Sequence, residues 1–299
     1  HTRPSYDLDV QPGETLGRTW DINGQRYRHG KLINPVSSTP PAQTSSGLFA
    51  DVFEMVDDAD NIAPIMGKRY GTREPWRGTG RRPSLDTSRA QDWEMADDIE
   101  FGAGLLERHD ILQLELRGVD YTGEYPVMFQ RRLGHDMPDG IIAERTPDEI
   151  FTRSRAGSWR DGRLKAFRKA YLKLRQDLAR AGIGWEDGHL GNIFYQMDTR
   201  GPPRAGILDT DRMGPVASPR PGRQPGQFFG GMAGKWWTAT KRRIDVGDAQ
   251  EMAVAGLFHK GFFKIDSNGN LADGLFPVDE ILEFFPALKD MMSRRKGLR

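Results

Sequence analysis

The sequence contains no cysteine, which excludes disulfides, thiolate metal sites and a cysteine nucleophile but leaves the compartment open. It has no apolar run approaching the roughly 18 residues of a membrane span, so no helical crossing is expected. It has no excess of either charge. The 43 Lys and Arg face 42 Asp and Glu, a balance that makes no case for nucleic acid or an anionic membrane as partner. The opening HTRPSYDLDV lacks the apolar region of a signal peptide, and a start on His rather than Met suggests a piece cut from a longer protein. Nothing in the sequence speaks to oligomeric state.

What is present suffices for a folded globular protein: 299 residues, 37% of them hydrophobic, can bury a sizeable core in two lobes. TWDINGQRY reads as a hairpin, because Asn23-Gly24 supplies the positive φ angles of a two-residue turn. RYRHGKLI continues as a strand, and the Pro/Ser/Thr stretch from Asn34 to Ser46 interrupts it as a loop. GLFADVFEMV and IAPIMGKRY follow as strands around the acidic turn DDADN. The first third is therefore expected to form an antiparallel sheet.

A helix is expected from about Ser84 to His109, then strands at ILQLEL and YPVMFQRRL. From Ser158, with Asp161 three residues on, a second helix runs to about Ala181. Leu164, Phe167, Tyr171, Leu174 and Leu178 make its buried face, and Arg163, Lys169, Lys173 and Arg180 its solvated one. Gly182-Ile-Gly184 ends it. NIFYQM and AGILDTD pair as a hairpin, a Gly- and Pro-rich stretch runs to Lys241, and the end of the chain reads as mostly helical.

The chemistry concentrates in WEDGHLGNIF, residues 185–194. Asp187, His189 and Asn192 lie at intervals that fit no helix face, and Asp209-Thr-Asp211 follows the next hairpin. Phosphoryl transfer needs a carboxylate to orient and deprotonate an attacking hydroxyl, and oxygen ligands for metal ions that bridge the phosphates. Asp187 suits the first role; Asn192 and Asp209, brought together by the hairpin between them, suit the second. Taken alone, Asp-x-His-x-x-Asn is a weak pattern that a surface turn produces as readily.

On these residues the sequence resembles the protein-kinase-like superfamily of protein kinases and aminoglycoside and choline phosphotransferases. Asp187 and Asn192 stand five apart as in the family's catalytic loop, DGHLGN is similar to the DLHPGN form, and Asp209 stands where the family binds metal. The resemblance implies Asp187 as catalytic base, Asn192 and Asp209 as magnesium ligands and Phe194 beneath the adenine. It extends upstream. SSGLFADVF is similar to a glycine-rich nucleotide loop, with Gly47 as its middle glycine, Phe49 at its tip and Val52 against adenine; Ser45 and Ala50 replace the outer glycines. Lys68, sixteen residues after Val52, matches the phosphate-pairing lysine, and Glu100 or Glu94 its helix partner. Gln130 to Arg132 correspond to the strand and hinge whose backbone reads adenine. Asp245 corresponds to a buried Asp supporting the catalytic loop, or to a helix N-cap. Trp185-Glu186 departs from the family's His-Arg, and Asp211 from its Gly.

The implied fold is α+β and bilobal: a small antiparallel β N-lobe with one main helix over residues 1–133, a hinge at about 130–134, and a larger, mainly helical C-lobe over 134–299, with the loop at 185–194 and an activation-like segment at 209–245. The implied activity is ATP- and magnesium-dependent phosphoryl transfer to a hydroxyl. The activation-like segment favours a protein Ser or Thr, the DGHLGN loop a small molecule, and a nucleotide-binding pseudokinase adaptor is the non-enzymatic alternative. The loop type suggests a bacterial source, with the protein cytoplasmic or delivered into a host cell as an effector. Elsewhere, DSNGN (266–270) lacks the glycine and the twelfth-position acid of a calcium loop and reads as a turn. His29, His109, His135 and His259 have no metal-ligand spacing, and FFGGMAGKWW reads equally as a docking surface or as buried packing.

Overall fold

The computed structural model describes residues 8–10, 18–34, 50–70, 85–123, 126–132, 142–145, 162–185, 188, 190–197, 201–210, 213–215, 253–254, 256–258 and 260–289. It is a mixed α+β structure whose sheets are mostly antiparallel, and it divides into two compact units. The first takes the described residues up to 104 together with 114–132; the second takes 105–113 and the described residues from 142 onward.

The first unit is a seven-stranded sheet in the order β1-β2-β3-β4-β5-β7-β6, made of β1 (Leu8–Val10), β2 (Thr19–Ile22), β3 (Gln25–Asn34), β4 (Ala50–Val56), β5 (Ile62–Tyr70), β6 (Leu116–Asp120) and β7 (Val127–Arg131). Asn23 (φ 53°) and Gly24 (φ 77°) form the expected tight turn between β2 and β3. Between β4 and β5 the acidic turn closes on itself: the Asp57 carboxylate accepts the N–H groups of Ala59 (2.9 Å) and Asn61 (2.8 Å).

Trp20 Nε1 on β2 donates to the Asp120 carboxylate on β6 at 2.9 Å, and Arg18 donates to the same oxygen at 3.0 Å. These strands lie toward opposite ends of the strand order, so the sheet must curl to bring them together. Inside the curl pack Trp20, Ile22, Tyr27, Phe53, Met55, Ala63, Ile65, Val127 and Phe129, with the Trp20 and Phe129 rings 5.2 Å apart. At about 1.5–3 kcal/mol for each large side chain removed from water, this is the main stabilising cluster of the unit. The outer face carries helix α1 (Leu85–Arg108), whose Ala96, Ile99 and Ala103 recur at helical spacing and pack on Leu116, Val119 and Met128.

Strand β6 differs from the expected ILQLEL. Within residues 111–115 Gln113 bridges to Ile207 while the Glu115 carbonyl accepts the Arg131 N–H, and the strand begins at Leu116. Ile207 draws the segment away, because its N–H donates to the Leu112 carbonyl at 3.0 Å.

The second unit is built on α2 (Gly162–Arg180), which ends at Gly182 (φ 70°). The chain continues through β9 (Ile183–Trp185), a 3-10 turn (Leu190–Asn192), β10 (Ile193–Met197), β11 (Arg204–Ile207) and β12 (Met213–Pro215). Strand β10 lies between β11 and the unforeseen β8 (Ile142–Arg145), and β12 pairs with β9. The end of the chain is not wholly helical. A hairpin of β13 (Phe263–Ile265) and β14 (Leu271–Asp273) precedes α3 (Val278–Phe284). Its turn is DSNGN, where the Asp266 carboxylate accepts the Asn270 N–H at 2.7 Å, the same closure as Asp57 on Asn61. Arg168 on α2 makes a buried two-pronged ion pair with Glu280 on α3, at 2.6 and 2.8 Å. Among the described residues no helix is long and apolar enough to cross a membrane.

Candidate active site

In the first unit, Lys68 sits on β5 directly opposite Val52 on β4 and Met128 on β7. Residues paired across antiparallel strands share a face. Met128 packs under α1, so Val52 and Lys68 stand on the face that carries this helix, while their neighbours Phe53, Gly67 and Phe129 point into the curl. Lys68 and Val52 are both half-buried. On α1, Glu100 is 3% exposed and accepts the Tyr121 hydroxyl at 3.2 Å. Glu94 also lies on α1, with its side chain outside the described residues.

Gln130 pairs with Met66, two residues before Lys68, and is fully buried on the same face. The next two backbone N–H groups are committed within the unit: Arg131 donates to the Glu115 carbonyl at 2.9 Å and Arg132 to the Pro64 carbonyl at 2.8 Å. The Arg132 side chain pairs with Glu54 at 2.9 Å. Gly47 and Phe49, expected in the nucleotide loop, lie outside the described residues.

In the second unit the β10–β11 hairpin decides the geometry. Ile193 pairs with Ile207, and the Leu208 N–H donates to the Asn192 carbonyl at 2.8 Å, so Asn192 stands opposite Leu208 and Asp209 follows one position on. Asn192 and Asp209 are half-buried, with Asp209 Oδ1 buried, and Thr210 behind them is closed to solvent. An amide oxygen and a carboxylate so placed are the hard oxygen donors that magnesium takes, and the pair fits that ion. Among the described residues there is no cluster of three or more His, Asp or Glu side chains that could hold a metal ion. No protein-family model matches the chain, and no curated protein matches it.

Phe194 is 1% exposed, its ring packed over Gly206. Tyr195, its neighbour on β10, donates its hydroxyl to the Phe167 carbonyl at 3.0 Å, and burial pushes its pKa well above the ordinary tyrosine value. Asp187, His189, Asp211 and Asp245 lie outside the described residues, but Gly188 between the first two is described. The Tyr171 hydroxyl of α2 donates to the Gly188 carbonyl at 2.9 Å.

The sequence reading missed two buried arginines, Arg168 and Arg175, on the apolar face of α2. A signal was available. Leu164, Arg168, Tyr171, Arg175 and Leu178 alternate at spacings of four and three, which places both cations on the buried stripe. Among the histidines, His29 stacks on Phe53 with ring centroids 4.0 Å apart, a packing role.

Proposed function

We propose that this chain is an ATP- and magnesium-dependent phosphotransferase that moves the γ-phosphate onto a hydroxyl, with a protein Ser or Thr as acceptor. The observation that carries the reading is the β10–β11 hairpin, whose register sets Asn192 beside Asp209 at the end of a loop five residues downstream of Asp187. A second arrangement supports it independently: Lys68 stands on the sheet face covered by the helix that follows it in the chain, and that helix buries Glu100. Both are what the bilobal kinase-like reading requires of these positions.

In this reading Lys68 pairs with the phosphates as a point charge. Asn192 and Asp209 would hold magnesium, which supplies charge neutralisation where the phosphates meet. The Asp187 carboxylate orients the acceptor hydroxyl and takes its proton as the new O–P bond forms. The bond from the γ-phosphorus to the ADP oxygen breaks, and ADP leaves with that electron pair. The role of Asp187 follows from its place in the sequence.

The test is incubation of the chain with γ-labelled ATP and magnesium, alone, with lysate proteins and with a panel of amino alcohols and aminoglycosides. Label in protein bands is the expected result. Label confined to small hydroxyl compounds replaces the acceptor class, and no label in any fraction removes the enzymatic reading in favour of a nucleotide-binding adaptor.

A further inference from the structure

Arg175 lies on the apolar face of α2 and is 5% exposed. Its Nε and Nη1 atoms are buried with no hydrogen-bond partner among the described residues. Placing a charged donor in such surroundings costs folding free energy, and apolar replacements of buried ions are often neutral or stabilising. A leucine would serve this helix face at least as well. Packing therefore does not explain the guanidinium, but its neighbours do.

The cation lies over the Trp185 ring, 5.6 Å from the centroid. Nη1 fills the space in which any side chain at Gly188 would begin, and Nη2 lies 2.6 Å from where a Cβ at Gly256 would stand. One turn earlier on the same helix face, Tyr171 holds the Gly188 carbonyl. Two side chains of α2 thus grip the backbone of one loop residue, the residue joined by a peptide bond to Asp187.

We infer that Arg175 is a positioning residue: its guanidinium, wedged between Gly188, Gly256 and Trp185, fixes the backbone at Gly188, the residue that follows Asp187 in the sequence. The inference rests on the phosphotransferase reading. The planar fork is rigid, so it holds a backbone in register where a flexible ammonium does not. A Cβ at 188 or at 256 would overlap the guanidinium, so a side chain at either position shifts it.

The test combines melting and kinetics on the full chain for wild type, Arg175→Leu, Gly188→Ala and the double variant, with phosphate release from magnesium-ATP as the probe reaction. Arg175→Leu is expected to melt at or above the wild-type temperature, while kcat falls about tenfold or more and KM for ATP changes less than about threefold. Gly188→Ala is expected to lower the melting temperature in the wild-type background and by less than about half as much in the Arg175→Leu background, because the two residues compete for one space. Wild-type kcat in Arg175→Leu, or an equal Gly188→Ala penalty in both backgrounds, overturns the inference. If Arg175→Leu does not fold, Gly256→Ala replaces it. Both alanines displace the same guanidinium, so less-than-additive melting losses support the inference and additive ones overturn it. Where the wild type releases no phosphate, the phosphotransferase reading stands or falls on label transfer to an acceptor, and the melting cycle decides whether Arg175 holds Gly188.

Discussion

Leu208 donates its backbone N–H to the carbonyl of Asn192 at 2.8 Å, the last bond of a hairpin whose two strands end in the two candidate metal ligands. An amide at the start of one strand and a carboxylate just past the end of the other, seventeen positions apart in sequence, become neighbours because the strands between them pair without a bulge.

Asn192→Ala and Asp209→Ala are accordingly expected to keep the fold and lose about 100-fold or more in phosphoryl transfer, with the magnesium concentration for half-maximal rate rising in whatever activity is left. Rates measured across a magnesium titration check this. An unchanged magnesium dependence in Asp209→Ala contradicts the assignment.

Closure of the first unit depends on Asp120, whose carboxylate accepts Trp20 Nε1, Arg18, and both the N–H and the hydroxyl of Thr122. Asp120→Ala leaves the buried Trp20 indole N–H and the half-buried Arg18 guanidinium without their acceptor and is expected to destabilise the unit by about 3 kcal/mol; Trp20→Phe keeps the ring and loses one bond to a charged group, about 1.5–3 kcal/mol. Denaturant unfolding of the two variants gives both the magnitudes and their order.

Arg168 and Glu280 form a fork inside the second unit. Glu280→Ala leaves the guanidinium buried without its counter-ion, and a loss of about 3–5 kcal/mol is expected, whereas Arg168→Met combined with Glu280→Leu is expected to recover most of it. A double variant less stable than Glu280→Ala would show that the pair itself, rather than its desolvation, carries the energy.

Tyr171 is fully buried, stacked on Phe262, and its pKa is pushed up to about 12 by desolvation, with Arg175 pulling weakly the other way. The raised value means the folded state holds its proton more tightly than the unfolded chain. That contribution is complete below the ordinary tyrosine range near pH 10 and is lost as pH rises toward 12. Tyr171→Phe is therefore expected to cost about 1 kcal/mol at neutral pH through the lost bond to Gly188, and to flatten the decline in stability between about pH 10 and 12. Thermal melts at stepped alkaline pH read both effects.

Local signals in the sequence predict local structure well here. Asn23-Gly24 makes its turn, the Asp57 loop closes on Asn61, and α1 spans Leu85–Arg108 against an expected Ser84 to His109, because turn chemistry and helical spacing act over a few residues. Long-range pairing was not legible. Residues 111–115 alternate as a strand should, yet Leu112 and Gln113 pair with Ile207, nearly a hundred positions later. The hairpin around DSNGN was hidden because FFKI and LAD are too short to show a period, although the turn itself was visible. Arg168 and Arg175 were assigned to no face because charge usually marks the solvated one; their burial depends on Glu280, Trp185 and two glycines that the sequence does not connect to α2. Of the candidate site, Lys68 and Val52 fall on paired strands, Glu100 on α1 beside Tyr121, and Asn192 and Asp209 just outside the two ends of the β10–β11 hairpin, while Asp187, Gly47 and Phe49 lie outside the described residues.

The central claim is that Asp187 drives phosphoryl transfer from ATP, and a side-by-side measurement of wild type and Asp187→Ala tests it most directly. With magnesium and γ-labelled ATP in excess, the account predicts label transfer by the wild type, a fall of about 100-fold or more in Asp187→Ala, and ATP binding within about threefold of wild type in both. Equal transfer rates in the two proteins would contradict it.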